Sequence, residues 1–175
     1  HISNIKILNG RVTNDDGINI DNARNVLIED CFIRSNDDCY AMNGLDMTEG
    51  VVENIVMRDS VLWADRAHPI KMGWTGQAPY IKGAKFYNID IIRMGVYNHV
   101  WDSWRPALSV TTVGNMLMED ILFDDIRIRG EGEERLIQVE PEITVYAVNP
   151  VPGPIQDVMF RNIRLTSDSQ PGNYT

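Results

Sequence analysis

Three short stretches of this chain carry residues that could move protons: Asn14-Asp15-Asp16-Gly17, Asn36-Asp37-Asp38-Cys39 and Ala67-His68-Pro69. Each stands ahead of an apolar pair, Ile18/Ile20, Tyr40/Met42 or Ile70/Met72, and Asp16, Asp38 and His68 all lie two residues before the first apolar member. Side chains alternate between the faces of a strand, so a shared spacing becomes a shared rim once the strands stack. Crowding four carboxylates and a histidine there is unfavourable, because like charges a few ångströms apart disfavour joint ionisation. Such crowding suits hydrolysis of a glycosidic bond, in which one carboxyl stays protonated for the leaving oxygen while another stays ionised to activate water. A plainer reading makes the same aspartates turn residues or the oxygen ligands of a calcium ion.

What would stack these stretches is a nine-residue phrase that begins at Asn4, Asn25, Asn54, Gly83, Asp120 and Asp157. Its second position reads Ile5, Val26, Ile55, Ala84, Ile121, Val158; its fourth reads Ile7, Ile28, Met57, Phe86, Phe123, Phe160; its ninth reads Val12, Ile33, Leu62, Ile91, Ile128, Leu165. The sixth is always polar: Asn9, Asp30, Asp59, Asn88, Asp125, Asn162. Starts fall 21, 29, 29, 37 and 37 residues apart, so each copy reads as a short strand pair joined by loops of variable length. A fixed strand phrase with elastic loops predicts an all-β fold, a right-handed parallel β-helix of about six coils stacked at roughly 4.8 Å. Asn or Asp at the sixth position marks a bend, since a short polar side chain tolerates left-handed backbone angles. A third strand follows each phrase, with its apolar pair continuing as Leu108/Val110 and Ile137/Val139.

Composition agrees with one elongated domain over residues 1–175, 43% hydrophobic and with no shift that marks a linker. No apolar run is long enough to span a bilayer, and no signal peptide opens the chain. Capping segments that would close the ends of a solenoid are not evident, which predicts a piece of a longer protein whose open ends invite self-association. A net charge of -9 argues against nucleic acid or an anionic membrane as partner. Cys31 and Cys39 have no metal-ligand spacing and read as buried free thiols. No metal and no cofactor is called for.

At the acidic motifs the chain resembles the polygalacturonase family of glycoside hydrolases, which are right-handed parallel β-helices. Asn14-Asp15-Asp16-Gly17 is similar to that family's Asn-Thr-Asp-Gly motif, Asn36-Asp37-Asp38-Cys39 to its Gly-Asp-Asp-Cys motif, and Ala67-His68-Pro69 to its Gly-His-Gly motif with both glycines replaced. The resemblance implies an inverting hydrolase that acts on a polysaccharide outside the cytoplasm, by single displacement. Asp37 would be the general acid, Asp16 and Asp38 would polarise the attacking water, and His68 would adjust the protonation of the cluster. Asp15 replaces the family's Thr and takes no catalytic role.

The family's fourth motif, Arg-Ile-Lys, is missing: Leu108 falls at its centre, flanked by Ala107 and Ser109. Cations that could replace it in binding substrate are Lys71, Arg66 and Arg105. Trp74 and Trp104, with Trp63, Tyr80, Tyr97 and Trp101, would supply flat walls for sugar rings. Either a pectic chain or a neutral glucan fits, since some dextranases also use a β-helix. Two other readings remain open: calcium-dependent β-elimination of the pectate-lyase kind, and a non-catalytic carbohydrate-binding or structural β-helix.

Overall fold

The computed structural model describes residues 1–8, 12–44, 50–75, 78–95, 97–98, 103–112, 114–130, 135–142 and 151–167. Among these it is all-β. In chain order the strands are β1 (Ile2–Ser3), β2 (Lys6–Ile7), β3 (Ile18–Ile20), β4 (Ala23–Glu29), β5 (Phe32–Ser35), β6 (Tyr40–Met42), β7 (Val52–Ala64) and β8 (Ile70–Gly73). They continue with β9 (Tyr80–Arg93), β10 (Tyr97–Asn98), β11 (Ser103–Trp104), β12 (Leu108–Thr112), β13 (Leu117–Gly130), β14 (Ile137–Pro141) and β15 (Ile155–Ser167). One parallel sheet is ordered β1-β4-β7-β9-β13-β15, with β5 also paired to β7 and β2 paired to β5, and a second is ordered β14-β12-β8-β6-β3. β10 and β11 form a small antiparallel pair. Among the described residues, no helix is long and apolar enough to cross a membrane.

The chain visits the two parallel sheets alternately, and its repeated apolar positions fall into register. Val26, Ile55, Ala84, Ile121 and Val158 form one row; Ile28, Met57, Phe86, Phe123 and Phe160 form the next. Ile33, Leu62, Ile91, Ile128 and Leu165 form a third. In the second sheet Ile18, Tyr40, Ile70, Leu108 and Ile137 align, as do Ile20, Met42, Met72, Val110 and Val139. Most of these side chains meet in one core between the sheets. Phe123 lies between two rings there, its centroid 4.6 Å from Phe86 and 4.9 Å from Phe160, all nearly parallel. Cys31 and Cys39 are buried and free.

From the second copy onward, each repeat bends at two left-handed residues. Asp30, Asp59, Asn88, Asp125 and Asn162 at the sixth position have φ of 49–55°, while Asn9 lies outside the described residues. The first position bends equally: Asn25, Asn54, Gly83, Asp120 and Asp157 have φ of 54–69°. Asn, Asp and Gly are the residues that enter this region at least cost. Neighbouring corners also bond along the stack, with Asn54 Nδ2 donating to Asn25 Oδ1 at 2.7 Å and Asn88 Nδ2 to Asp59 Oδ1 at 2.6 Å. Where sequence predicts a strand pair, β7, β9, β13 and β15 run unbroken through both corners, whereas the chain is split at the earlier corners, into β1 and β2 and into β4 and β5.

The first copy is corrected by the structure. Ile2 pairs with Ile28 and Ile7 with Ile33, so Asn4, at φ 54°, occupies the sixth-position corner and not the first. Ile5 and Val12, expected in the core, are 42% and 64% exposed. Both corners select the same residue types, so one polar residue beside alternating apolar ones can be read in either register. A further core row at the seventh position, Cys31, Ser60, Ile89 and Ile126, went unread because Ser60 interrupts it.

Truncating the central ring tests the stack. Phe123→Ala should lower unfolding free energy by about 3–5 kcal/mol in urea denaturation, whereas the exposed Met159→Ala should stay within about 0.5 kcal/mol.

Candidate functional site

The acidic stretches lead into β3, β6 and β8, and main-chain bonds hold those entrances in step. Gly17 N–H donates to Asp38 O at 2.8 Å, Asp37 N–H to Asp15 O at 3.2 Å and Cys39 N–H to His68 O at 2.9 Å. Gly17 permits the close approach: a Cβ there would sit 2.4 Å from Ile33 Cγ2 and 2.5 Å from the carbonyl oxygen of Cys39. Asp16, Asp38 and His68 are thereby brought side by side, and oxygens of Asp16, Asp37 and Asp38 lie within 4.8 Å of one another.

The three carboxylates sit in different surroundings. Asp38 is 2% exposed; its Oδ1 accepts from His68 Nδ1 at 2.8 Å and from the His68 main-chain N–H at 3.0 Å. Its Oδ2 lies 2.5 Å from Lys71 Nζ. An ionised carboxylate only accepts, so Nδ1 of His68 carries the proton between them. Burial by itself would raise the pKa of Asp38, but His68 and Lys71 outweigh it and hold the group well below the usual carboxylate range.

Asp16 is half-buried, and its pKa is pushed up to about 6, first by desolvation and then by the charge of Asp38. Its Oδ1 accepts from the Asp38 main-chain N–H at 3.2 Å and its Oδ2 from Asn19 Nδ2 at 2.9 Å. Desolvation and then Asp38 raise Asp37 as well, opposed by Lys71, His68 and Arg105. The Asp37 carboxyl accepts no hydrogen bond from the described residues. One carboxylate is thus pinned in its charged form, and its charge makes the two beside it reluctant to ionise.

Around them opens a cleft of about 180 Å³ lined by Asn14, Asp16, Asp37, Asp38, Asn43, His68, Lys71, Trp74, Thr75 and Arg105. Arg105 is 5% exposed, lies 5.2 Å from the Trp74 ring centroid, and has a buried Nε with no hydrogen-bond partner among the described residues. Burial pulls its pKa down against the opposing charges of Asp38, Asp37 and Glu142. Trp74 is presented by two successive left-handed residues, Gly73 at φ 79° and Trp74 itself at φ 73°, a conformation that a bulky side chain adopts only when held. The main-chain N–H of Trp74 donates to Thr111 O and its Nε1 to Glu142 Oε2, both at 3.1 Å.

Of the residues singled out in the sequence, Asp16, Asp37, Asp38, His68, Lys71, Arg105 and Trp74 line this cleft. Arg66 does not: it is exposed, while its neighbours Ala67 and His68 are buried, so the chain turns it to the outside. Trp63 packs elsewhere, with Arg34 4.6 Å from its ring centroid and Nε1 donating to Asp65, and Tyr80 Oη donates to Glu53. Trp101 lies outside the described residues, as do the side chains of Tyr97 and Trp104. Lys71 lines the cleft, but its ammonium is engaged by Asp38. That ammonium also stands where a calcium ion would have to meet Asp38, so the acidic trio is a poor cation cage.

Sequence reading passed over Asn43 and Thr75 and assigned no role to Asn14. Asn43 had a signal, because it follows the apolar pair of β6 by one residue and therefore faces outward beside Ala41. Its Nδ2 donates to Asn19 Oδ1 at 2.9 Å. Comparison with protein-family models, with curated proteins and with solved structures finds no match.

A raised carboxyl pKa in the folded state means that ionisation destabilises the fold above that pKa. Asp16→Asn should therefore stabilise the protein at pH 7 by about 1 kcal/mol after allowance for solvent screening. Urea denaturation should show the gain disappearing as pH falls below the ordinary value of 3.8, where Asp16 is protonated in both states.

Proposed function

We propose that the chain is a right-handed parallel β-helix of about six coils and an inverting glycoside hydrolase of polysaccharides, similar to polygalacturonases but with altered sugar recognition. The observation that carries this reading is the clustering within 4.8 Å of two half-buried carboxyls of raised pKa, Asp16 and Asp37, with a third, Asp38, whose pKa His68 and Lys71 hold down. Such a trio holds one proton over two groups, the state that acid and base catalysis of glycoside cleavage needs.

The resemblance divides the roles. Following it, Asp16 polarises water together with Asp38, its two oxygens held in place by N–H donors. Asp37, whose pKa desolvation and Asp38 raise, offers its proton to the leaving oxygen. His68 keeps Asp38 oriented. Trp74 would stack on a sugar ring, and the unpartnered Arg105 Nε would donate to a substrate oxygen. Recognition must differ from the family's, since Ser109 lies beside Lys71 where the basic motif would stand.

Single displacement is drawn from the resemblance. Oxygens within 4.8 Å are closer than the roughly 6.5–9.5 Å usual for inverting enzymes, so product stereochemistry is the decisive readout. Incubation with pectic polysaccharides, dextran and pullulan should release new reducing ends of inverted anomeric configuration from one of them. Retention contradicts the mechanism; unsaturated products absorbing in the ultraviolet indicate elimination instead; binding without products indicates a carbohydrate-binding module.

Asp37→Asn should lower kcat by about 10²–10⁴-fold with no loss of thermal stability. The pH profile of kcat/KM should be bell-shaped. Its alkaline limb falls near the raised value of about 6, as the pair loses its one proton, and its acid limb falls as the pair takes up a second.

A further inference from the structure

Resting on the hydrolase reading above, we propose that Lys71 is a positioning residue that acts on Asp38 and not a contact for substrate: it fixes the charge that makes Asp16 and Asp37 share a single proton. Sequence gives Lys71 the look of a substrate ligand, because it faces outward in β8 between Ala41 and Ser109 of the flanking strands. The structure instead turns its ammonium onto Asp38 Oδ2 at 2.5 Å, with side chains only 9% and 3% exposed. An ammonium held at that distance in a buried site has the Asp38 carboxylate as its partner.

The groups facing Asp38 define what Lys71 must do. Asp16 approaches from the segment before β3, Asp37 from its own segment, His68 from the entrance of β8 and Arg105 from the segment before β12. His68 occupies Oδ1 and Lys71 occupies Oδ2; Arg105 contributes only through space, stacked on Trp74. Small neighbours make room for this arrangement, Ala41 on one side and Ser109 on the other. Without Lys71, burial would act on Asp38 against His68 and Arg105 alone, and the proton shared by Asp16 and Asp37 would gain a third place to sit.

Removing a buried positive charge favours protonation of every carboxylate near it, so both limbs of the pH profile should move the same way. In Lys71→Met they should shift to higher pH by about one unit, with KM changed by less than about threefold, while Lys71→Arg keeps the charge and stays near the wild-type profile. A large rise in KM with an unmoved profile would overturn the proposal and make Lys71 a substrate ligand.

Folding gives a readout that does not require turnover. In urea at pH 7, Lys71→Met should lower the unfolding midpoint, and adding Asp38→Asn to it should recover most of that loss, because the double variant leaves no unpaired buried charge. Additive losses would refute the coupling of the pair. Absence of hydrolysis by the wild-type chain, together with recovery in the double variant, would remove the hydrolase reading and leave the Lys71–Asp38 coupling standing.

Discussion

From the second copy onward, each phrase turns through left-handed backbone at its first and sixth positions, and those two corners have to sit above the corners of the phrase before. Asn, Asp and Gly satisfy the backbone requirement, and amide-to-oxygen bonds from Asn54 to Asn25 and from Asn88 to Asp59 tie successive corners together. Between fixed corners only a few residues can face inward, and the rows of Ile, Val, Met and Phe follow from that. Loops between the sheets are free to lengthen because no corner depends on them. The same register, carried into the second sheet, sets Asp16, Asp38 and His68 next to one another.

The site uses that placement in an unfavourable way for stability. A carboxylate as buried as Asp38 stays charged only because His68 and Lys71 surround it, and its charge in turn works against ionisation of Asp16 and Asp37. Arg105, set over the Trp74 ring with a buried Nε that finds no partner among the described residues, is a second unfavourable feature of the same cleft. These groups line one cleft at the rim of the second sheet, the pattern that the hydrolase proposal expects where stability is given up for chemistry.

Much of this could be read from the sequence, because strand alternation and the demand for left-handed residues are local and repeat. All three apolar rows from Val26 onward, the apolar pairs of the second sheet and the grouping of Asp16, Asp37, Asp38 and His68 were legible in that way. The first copy was not, since Asn4 suits either corner and only the pairing of Ile2 with Ile28 decides between them. Direction within a loop was equally hidden: Arg66 and His68 are two residues apart, yet one is exposed and the other buried. Lys71 was found on the cleft side, but its ion pair with Asp38 was not foreseen, because spacing tells which face a side chain leaves from and not which charge it meets.

Carbon-13 titration of the aspartate side-chain carboxyls in the wild-type chain tests the central claim most directly. One carboxyl in the cluster should remain ionised throughout the range in which the fold survives acid, while a neighbour takes up its proton near the raised value of about 6. Titration of Asp16, Asp37 and Asp38 together, close to the ordinary value of 3.8, would contradict the account.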